Sequence, residues 1–172
     1  MKGKNMKKIG LLFSEKAEKT SRMAKKIREA YGMKDVELVP LDKPWESDLE
    51  IYDNLIIGAS TWFDGELPVY WDELIPAVES LDLKGKKVAI FGLGDQVNYP
   101  DNFVDGMGIL GEAFERAGAK LVGFTSPEGY NYSQSRALRN GKLCGLALDL
   151  ENQPELTDKR IEEWCKQLKR EF

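Results

Sequence analysis

Two polar, glycine-containing loops each carry a large aromatic residue that could contact a flat ligand. The loop 60–67 contains Trp62, and the loop 92–103 contains Tyr99. Aromatic side chains stack on planar rings, and glycines let the backbone approach the polar edge of a bound ring. Each aromatic alone is explained equally well as ordinary packing over the end of a sheet. Two of them in comparable loops favour a site for a planar ligand.

Other kinds of chemistry lack their usual residues. The sequence has no histidine, which removes the commonest general base, the commonest metal ligand and every histidine-dependent triad. It also has no CxxC motif and no spaced carboxylate cluster typical of a metal site. We therefore expect neither catalytic residues nor metal ligands. Cys144 and Cys165 are expected to be free thiols, because disulfides are rare in cytoplasmic proteins.

Length and composition predict one globular domain. The chain has 172 residues, of which 42% are hydrophobic and 31% charged, enough for a core of its own. Its net charge of −4 and scattered basic residues argue against nucleic-acid binding and are compatible with docking on a basic protein. No apolar run is long enough for a membrane span or a signal peptide. We expect a cytoplasmic monomer without membrane association, with a single domain over 6–172 and a leader or cloning remnant over 1–5.

Strand-like and helix-like segments alternate along the chain. Short apolar runs typical of buried strands lie at 8–13, 36–41, 54–58, 87–92 and 120–124. Amphipathic stretches typical of helices lie at 20–31, 67–81, 103–117 and 155–170. Helices between strands indicate right-handed crossovers, so we predict an α/β fold with a doubly wound, five-stranded parallel sheet in the order 2-1-3-4-5. Ligands of such sheets bind beyond the carboxyl ends of the strands, where both aromatic loops lie.

The segment 125–152 is too long for a plain connection between a strand and a helix. It is rich in Gly, Asn, Ser and Tyr and ends with the apolar stretch LCGLALDL. We predict that it is an insertion that splits the fifth strand, with Leu146–Leu148 as the second half of that strand.

Together these segments resemble the long-chain flavodoxins, small electron carriers that hold FMN non-covalently. The resemblance spans 6–172 and rests on LIIGASTW-x-x-GEL, AIFGLGDQ-x-x-YPDNF, GYNYSQSRALRNGK, GLALDLENQ and LTDKRIEEW. The stretch 126–145 resembles the insertion that defines the long-chain group. The resemblance implies a flavodoxin-like fold and low-potential, one-electron transfer between redox proteins. It also implies that partners with basic docking faces approach near Trp62 and Tyr99.

The resemblance also implies roles for individual residues. Trp62 and Tyr99 match the two aromatics that flank the flavin, and Asp95 and Asn102 match residues near its pyrimidine edge. Asp149 matches an acidic residue near the ribityl chain. The full set of implied cofactor-binding residues is Ser14, Glu15, Lys16, Ala17, Glu18, Lys19, Thr20, Ser60, Thr61, Trp62, Phe63, Asp64, Gly65, Gly92, Leu93, Gly94, Asp95, Tyr99, Asn102, Phe103 and Asp149.

The loop after the third strand is also expected to tune the flavin. Phe63 and Asp64 match the peptide whose carbonyl, in the family, turns to hydrogen-bond N5 of the ring, and Gly65 keeps that loop pliable. Negative charge around the ring disfavours adding further charge and would make the reduced cofactor a stronger reductant. The acidic residues expected to supply this charge are Asp64, Glu66, Asp95, Asp101 and Asp149.

The first loop departs from the family pattern. The family uses Thr-x-Thr-Gly-x-Thr, whose hydroxyls and backbone N–H groups hold the phosphate at a helix N-terminus. The aligned stretch here is EKAEKT, in which Thr20 keeps its hydroxyl, Glu18 replaces the glycine and Glu15 replaces a threonine. A carboxylate about 5 Å from a doubly charged phosphate costs roughly 2 to 7 kcal/mol, depending on the local dielectric.

The direction in which these side chains point therefore decides between two hypotheses. If Glu15 or Glu18 points inward, FMN binds orders of magnitude more weakly, and the chain is a binding module for another flat ligand, such as riboflavin or a tetrapyrrole. If both point outward, the backbone donors remain, and Lys16 or Lys19 could add positive charge. A flavin or quinone reductase is a third hypothesis, but it needs a second substrate site for which the sequence has no motif.

Overall fold

The computed structural model describes residues 9–43, 49, 51–62 and 65–172. Its strands are β1 (Ile9–Phe13), β2 (Val36–Pro40), β3 (Asn54–Ser60), β4 (Lys87–Leu93), β5 (Lys120–Val122), β6 (Leu138–Arg139), β7 (Lys142–Leu143) and β8 (Leu146–Leu148). Its helices are α1 (Glu18–Tyr31), α2 (Val69–Glu79), α3 (Asp105–Arg116) and α4 (Thr157–Glu171), with a 3-10 turn at Pro154–Leu156.

The main sheet is parallel and has the order β2-β1-β3-β4-β5, which confirms the predicted doubly wound fold. β8 pairs with β4 beyond the point where β5 ends, in register from Phe91↔Leu146 to Leu93↔Leu148. The insertion therefore splits the fifth strand, and Leu146–Leu148 is its second half, as predicted. Within the insertion, β6 and β7 form a short antiparallel hairpin.

The boundaries of several elements differ from the predicted ones. β3 and β4 are longer than expected, because their pairing continues to Ser60↔Leu93. β5 is shorter, since Gly123 has a positive φ of 81° that interrupts an extended strand. α1 begins at Glu18 rather than at residue 20, because the Ala17 carbonyl already accepts the Ser21 N–H at 2.8 Å. Lys8, the predicted start of β1, lies outside the described residues.

Alternating side chains of the strands form two cores, one on each face of the sheet. Ile9, Leu11 and Phe13 of β1 pack in the core covered by α1 and α4. Leu12 points to the other core, which α2 and α3 cover. Burying each such side chain contributes about 1.5 to 3 kcal/mol, which fixes the register of the buried strands. This sandwich holds the carboxyl ends of the strands, and the loops after them, in fixed relative positions.

The described residues give no sign of a metal centre or a membrane span. Among them, no group of histidine, cysteine and carboxylate side chains could hold a metal ion. None of the helices in the described ranges is both long and apolar enough to cross a bilayer. Cys144 and Cys165 are free and buried, and burial raises the pKa of the Cys144 thiol to about 11 and that of Cys165 to about 12. Both thiols therefore stay protonated and unreactive near neutral pH.

Candidate functional site

The two aromatic loops meet at a cavity of about 300 Å³ at the carboxyl ends of β3 and β4. Trp62 and Tyr99 line it and are 41% and 45% exposed, unusually high values for large aromatic side chains. The remaining lining residues come from four separate segments and are Lys19, Ser60, Thr61, Leu93, Gly94, Asp95, Asn102, Leu150 and Glu151. The structure thus brings together residues that the sequence assigned to one flat-ligand site.

A tight turn positions Trp62. The backbone N–H of Trp62 donates to the Glu66 carbonyl, and the Glu66 N–H donates back to the Trp62 carbonyl, both at 2.8 Å. Gly65 turns the chain with a positive φ of 91°, and a Cβ at this position would lie 2.5 Å from Asp105 Oδ2. Both the conformation and the close contact require glycine here. Phe63 and Asp64, the predicted flipping peptide, lie outside the described residues.

Asp95 organises the loop that carries Tyr99. Its carboxylate accepts the backbone N–H groups of Val97 and Asn98, and also the side-chain amides of Asn98 and Asn152. Burial acts to raise the pKa of Asp95, but these hydrogen bonds to the charged form outweigh it and lower the pKa. Asp95 is therefore a fixed negative charge at the mouth of the cavity.

Asp149 is not among the residues that line the cavity, although Leu150 and Glu151 next to it are. Its side chain is fully buried, and its carboxylate accepts the backbone and side-chain N–H groups of Gln96 at 3.1 and 2.7 Å. It also accepts the backbone N–H groups of Glu151 and Asn152 at 3.2 and 3.0 Å, as well as the Asn152 side-chain amide. Asp149 therefore joins the Tyr99 loop to the segment after β8.

Of three further predicted residues, two are buried and adjoin lining residues in the chain, and the third lines the cavity. Phe103 is buried and stacks on Tyr132, with ring centroids 5.1 Å apart. Gly92 is a buried residue of β4, where a Cβ would collide with the Met107 side chain. Asn102 lines the cavity and donates its side-chain amide to Asp105 Oδ2 at 3.2 Å.

The first loop is shaped by a carboxylate that sequence reasoning did not single out. Asp42, just after β2, accepts the Glu15 N–H at 2.7 Å and the Ser14 hydroxyl at 3.2 Å. The Ser14 hydroxyl oxygen in turn accepts the Lys16 N–H at 3.3 Å. Because parallel strands end at one edge, a polar residue after β2 could have been expected to reach the loop after β1.

Helix α1 begins with unpaired backbone donors. The N–H groups of Glu18, Lys19 and Thr20 have no acceptor among the described residues, and Ala17 provides no side-chain cap. The Thr20 side chain is fully buried, and its hydroxyl lies 3.0 Å from the Ser60 hydroxyl at the end of β3. Free donors at the positive end of a helix suit an anion such as a phosphate.

The acidic side chains of the first loop point to solvent. Glu15, Lys16 and Glu18 are all exposed, and none of them lines the cavity. The charge penalty expected for an inward carboxylate therefore does not apply in full, since solvent screens exposed charges. The backbone donors of the loop remain available.

Lys19 crosses the cavity to the segment after β8. Its ammonium pairs with the Glu151 carboxylate, with both side chains about half exposed. Leu150 and Glu151 also line the cavity, although sequence reasoning missed both. The missed signal was positional: once β8 is placed beside β4, residues 149–153 follow a carboxyl end at the same edge as the aromatic loops.

These features define a class of protein, namely a doubly wound parallel α/β protein with an edge site suited to a planar ring beside a helix N-terminus with free backbone donors. A family model described as flavodoxin matches residues 15–164. A flavodoxin of a Nostoc species is 47% identical over 166 residues, which cover 96% of this chain and 98% of that protein. A flavodoxin of Synechococcus elongatus is 45% identical over 168 residues, covering 97% and 99%. The chain belongs to the flavodoxin family.

A solved structure agrees with this assignment. The crystal structure of Fusobacterium nucleatum flavodoxin bound to flavin mononucleotide superposes with a TM-score of 0.91 at 35% sequence identity. The match covers 97% of this chain and 99% of that one, so the flavodoxin fold extends over essentially the whole sequence.

Proposed function

We propose that this protein is a low-potential, one-electron carrier that binds FMN non-covalently and moves electrons between redox proteins. The observation that carries the proposal is the pairing of two half-exposed aromatics with free helix donors at one sheet edge. Trp62 and Tyr99 suit the two faces of a flat ring, and the first turn of α1 suits its phosphate. The flavodoxins of known sequence and structure that resemble this chain support the same reading.

The chain's residues divide the work of holding FMN. Trp62 and Tyr99 would flank the ring and exclude water from it, and Asp95 and Asn102 would face its polar edge. The N–H groups of Glu18, Lys19 and Thr20 would hold the phosphate, and Lys19 would add positive charge once released from Glu151. When bound, FMN supplies the reversible gain and loss of an electron.

The fixed charges near the ring would set the direction of the tuning. Asp95 stays ionised because its pKa is lowered. Glu66 and Asp101 belong to the two aromatic loops and are exposed. A reduced ring gains negative charge, which these carboxylates and the electron-rich face of Tyr99 disfavour. These groups would therefore disfavour the reduced ring and make it a stronger reductant. No side chain is required as acid, base or nucleophile, so we regard the protein as a carrier rather than a turnover enzyme.

The alternative of a different flat ligand depended on inward-facing carboxylates in the first loop. Glu15 and Glu18 are exposed, and no contact among the described residues favours riboflavin or a tetrapyrrole over FMN. We therefore keep those ligands as outcomes of the binding experiment.

The setting of this function is part of the proposal. We infer a single domain over 6–172 that acts as a cytoplasmic monomer. The net charge of −4 and the carboxylates around the aromatic pair favour redox partners with basic docking faces near Trp62 and Tyr99.

Calorimetric titration of the apo protein with FMN, with riboflavin in parallel, tests the proposal. We expect nanomolar FMN binding and clearly weaker riboflavin binding, because only FMN carries the phosphate. Equal affinities, or micromolar or absent FMN binding, would contradict the phosphate role of the first loop. In a redox titration of the FMN complex, the reduction potential of the last one-electron step should lie below that of free FMN. Oxidation of NADPH by the purified protein alone would point instead to a reductase.

A further inference from the structure

The hydroxyl oxygen of Tyr70 is buried and has no hydrogen-bond partner among the described residues. Buried polar atoms without a partner are rare and unfavourable, so each one asks for an explanation. Within the described residues, the other side-chain atoms of this kind all belong to the segment 153–171, on the α4 side of the molecule. Tyr70 is the one that lies on α2, close to the first loop.

The course of the chain places Tyr70 near the start of α1, where we propose that the phosphate binds. It is the second residue of α2, which follows β3 and the Trp62 turn and so starts at the carboxyl edge of the sheet. Its ring packs against the core on that face, tilted against Trp71 at a centroid distance of 6.5 Å. The Thr20 hydroxyl lies close to the Tyr70 hydroxyl. The negative charge of Asp42 is also near enough to raise the pKa of Tyr70.

The Thr20 hydroxyl does not form a hydrogen bond with the Tyr70 hydroxyl. Thr20 makes its 3.0 Å hydrogen bond with Ser60 and comes near Tyr70 without good hydrogen-bond geometry. Burial raises the pKa of Tyr70 to about 12; Thr20 opposes this shift and Asp42 adds to it. Tyr70 is therefore a protonated donor at neutral pH, next to the one residue of the stretch 15–20 that retains a hydroxyl.

We propose that the Tyr70 hydroxyl donates a hydrogen bond to the FMN phosphate and replaces a donor that the first loop lacks. An anion that reaches both the Thr20 hydroxyl and the free N–H groups at the start of α1 comes within reach of the neighbouring Tyr70 hydroxyl. The acceptor that Tyr70 lacks is then an oxygen of the phosphate. This inference rests on the proposed function, because it assigns a specificity-determining residue to the same site.

A competing explanation is that Tyr70 is simply an apolar cover for the core of that face. That explanation predicts that removing the hydroxyl changes no ligand selectivity, since riboflavin and FMN carry the same ring and ribityl chain. The phosphate hypothesis predicts a loss confined to the ligand that carries the phosphate.

The test is the Tyr70→Phe variant titrated with FMN and with riboflavin, alongside the wild type. A hydrogen bond to a charged group corresponds to about a 10- to 100-fold change in affinity, so FMN should bind that much more weakly and riboflavin equally well. Tyr31→Phe is the matched control: Tyr31 is partly buried at the far end of α1, and its variant should bind both ligands like the wild type. Inorganic phosphate should also raise the melting temperature of the apo wild type more than that of Tyr70→Phe.

The outcomes distinguish the role of Tyr70 from the proposed function. Unchanged FMN affinity in Tyr70→Phe, or an equal loss for both ligands, overturns the role of Tyr70 while leaving the electron carrier intact. A wild type that binds FMN no better than riboflavin overturns the proposed function, and the role of Tyr70 with it.

Discussion

The two aromatic loops and the first loop, where we propose that the flavin ring and the phosphate bind, offer different kinds of groups to a ligand. The loops 60–67 and 92–103 present particular side chains, above all Trp62 and Tyr99, on a frame fixed by buried hydrogen bonds. The first loop presents mainly backbone N–H groups, while its acidic side chains, Glu15 and Glu18, point to solvent. When side chains contact the ligand, each substitution changes the groups that the ligand meets. A site made of backbone donors tolerates substitutions such as glutamate for glycine, provided that the chain keeps its path.

The two regions also differ in how they are held. Asp149 is fully buried and accepts hydrogen bonds from Gln96, Glu151 and Asn152. Asp42 holds the first loop through two donors but is exposed to water. Solvent can replace what Asp42 provides, whereas nothing replaces a buried carboxylate. The ring site is therefore expected to be rigid and the phosphate loop to be adaptable.

Replacing each of the two aspartates in turn gives the largest expected effect and tests whether the two regions differ in rigidity. Asp149→Ala leaves several buried donors without an acceptor and should lower the free energy of unfolding by about 3 kcal/mol or more. Asp42→Ala should lower it by less than about 1 kcal/mol, because water can satisfy the released groups. Urea unfolding of the apo proteins measures both values. Similar losses for the two variants would show that the regions do not differ in rigidity.

Removing one of the two cavity aromatics should weaken the binding of a flavin whether or not the flavin carries a phosphate. Tyr99→Ala loses the stacking of one face and should reduce the affinity for FMN and for riboflavin equally, by roughly 10- to 100-fold, or about 1 to 3 kcal/mol. Calorimetry with both ligands measures the effect. Leu138→Ala, which removes an exposed apolar side chain of β6 that does not line the cavity, serves as the control. A loss confined to FMN would contradict the assignment of Tyr99 to the ring.

Adding a methyl group at Gly65 tests whether the Trp62 turn is held as tightly as its contacts indicate. Gly65→Ala combines a positive φ of 91° with a Cβ 2.5 Å from Asp105 Oδ2. Gly85→Ala has a similar φ of 86° but meets no atom within 4 Å, so it isolates the cost of the backbone conformation. Each substitution should cost about 1 kcal/mol of stability through strain, and Gly65→Ala should cost more and also weaken flavin binding. Equal stability and equal binding in the two variants would mean that the turn relaxes easily.

Asp95 should make the Tyr99 loop sensitive to acid. Because hydrogen bonds lower its pKa in the folded protein, its contribution is complete above the ordinary carboxyl pKa. That contribution is lost as the pH falls through the lowered folded-state value. Asp95→Asn should therefore reduce the stability near neutral pH and make the loss of stability in acid less steep. Unfolding curves between neutral and acidic pH measure the slope, and an unchanged slope would assign the acid sensitivity to other carboxylates.

The sequence predicted the fold and the meeting of the two aromatic loops better than the conformation of the first loop, for a physical reason. Strand order, the split fifth strand and the meeting of Trp62 with Tyr99 follow from hydrophobic patterns and from the rule that parallel strands end at one edge. The outward direction of Glu15 and Glu18 depends on the loop conformation set by Asp42, which lies 27 residues from Glu15 in the chain. A loop conformation that a distant side chain sets is not encoded in local patterns. Leu150 and Glu151, by contrast, could have been expected at the site, because the predicted split of the fifth strand already places β8 beside β4.

The smallest expected effect concerns the charges of the first loop, and it gives the sharpest test of the comparison. Glu18→Gly restores the glycine of the family pattern, yet it should raise FMN affinity by less than about tenfold, because an exposed carboxylate interacts weakly through solvent. Glu151→Gln frees Lys19 from its exposed ion pair and should raise FMN affinity by about fivefold or less, most clearly at low salt. Titrations at two salt concentrations measure both variants, with Glu162→Gln on the outer side of α4 as the control for net charge. A gain of several hundredfold for Glu18→Gly would show that this carboxylate faces and repels the phosphate, and that the side chains of the first loop control binding as much as its backbone does.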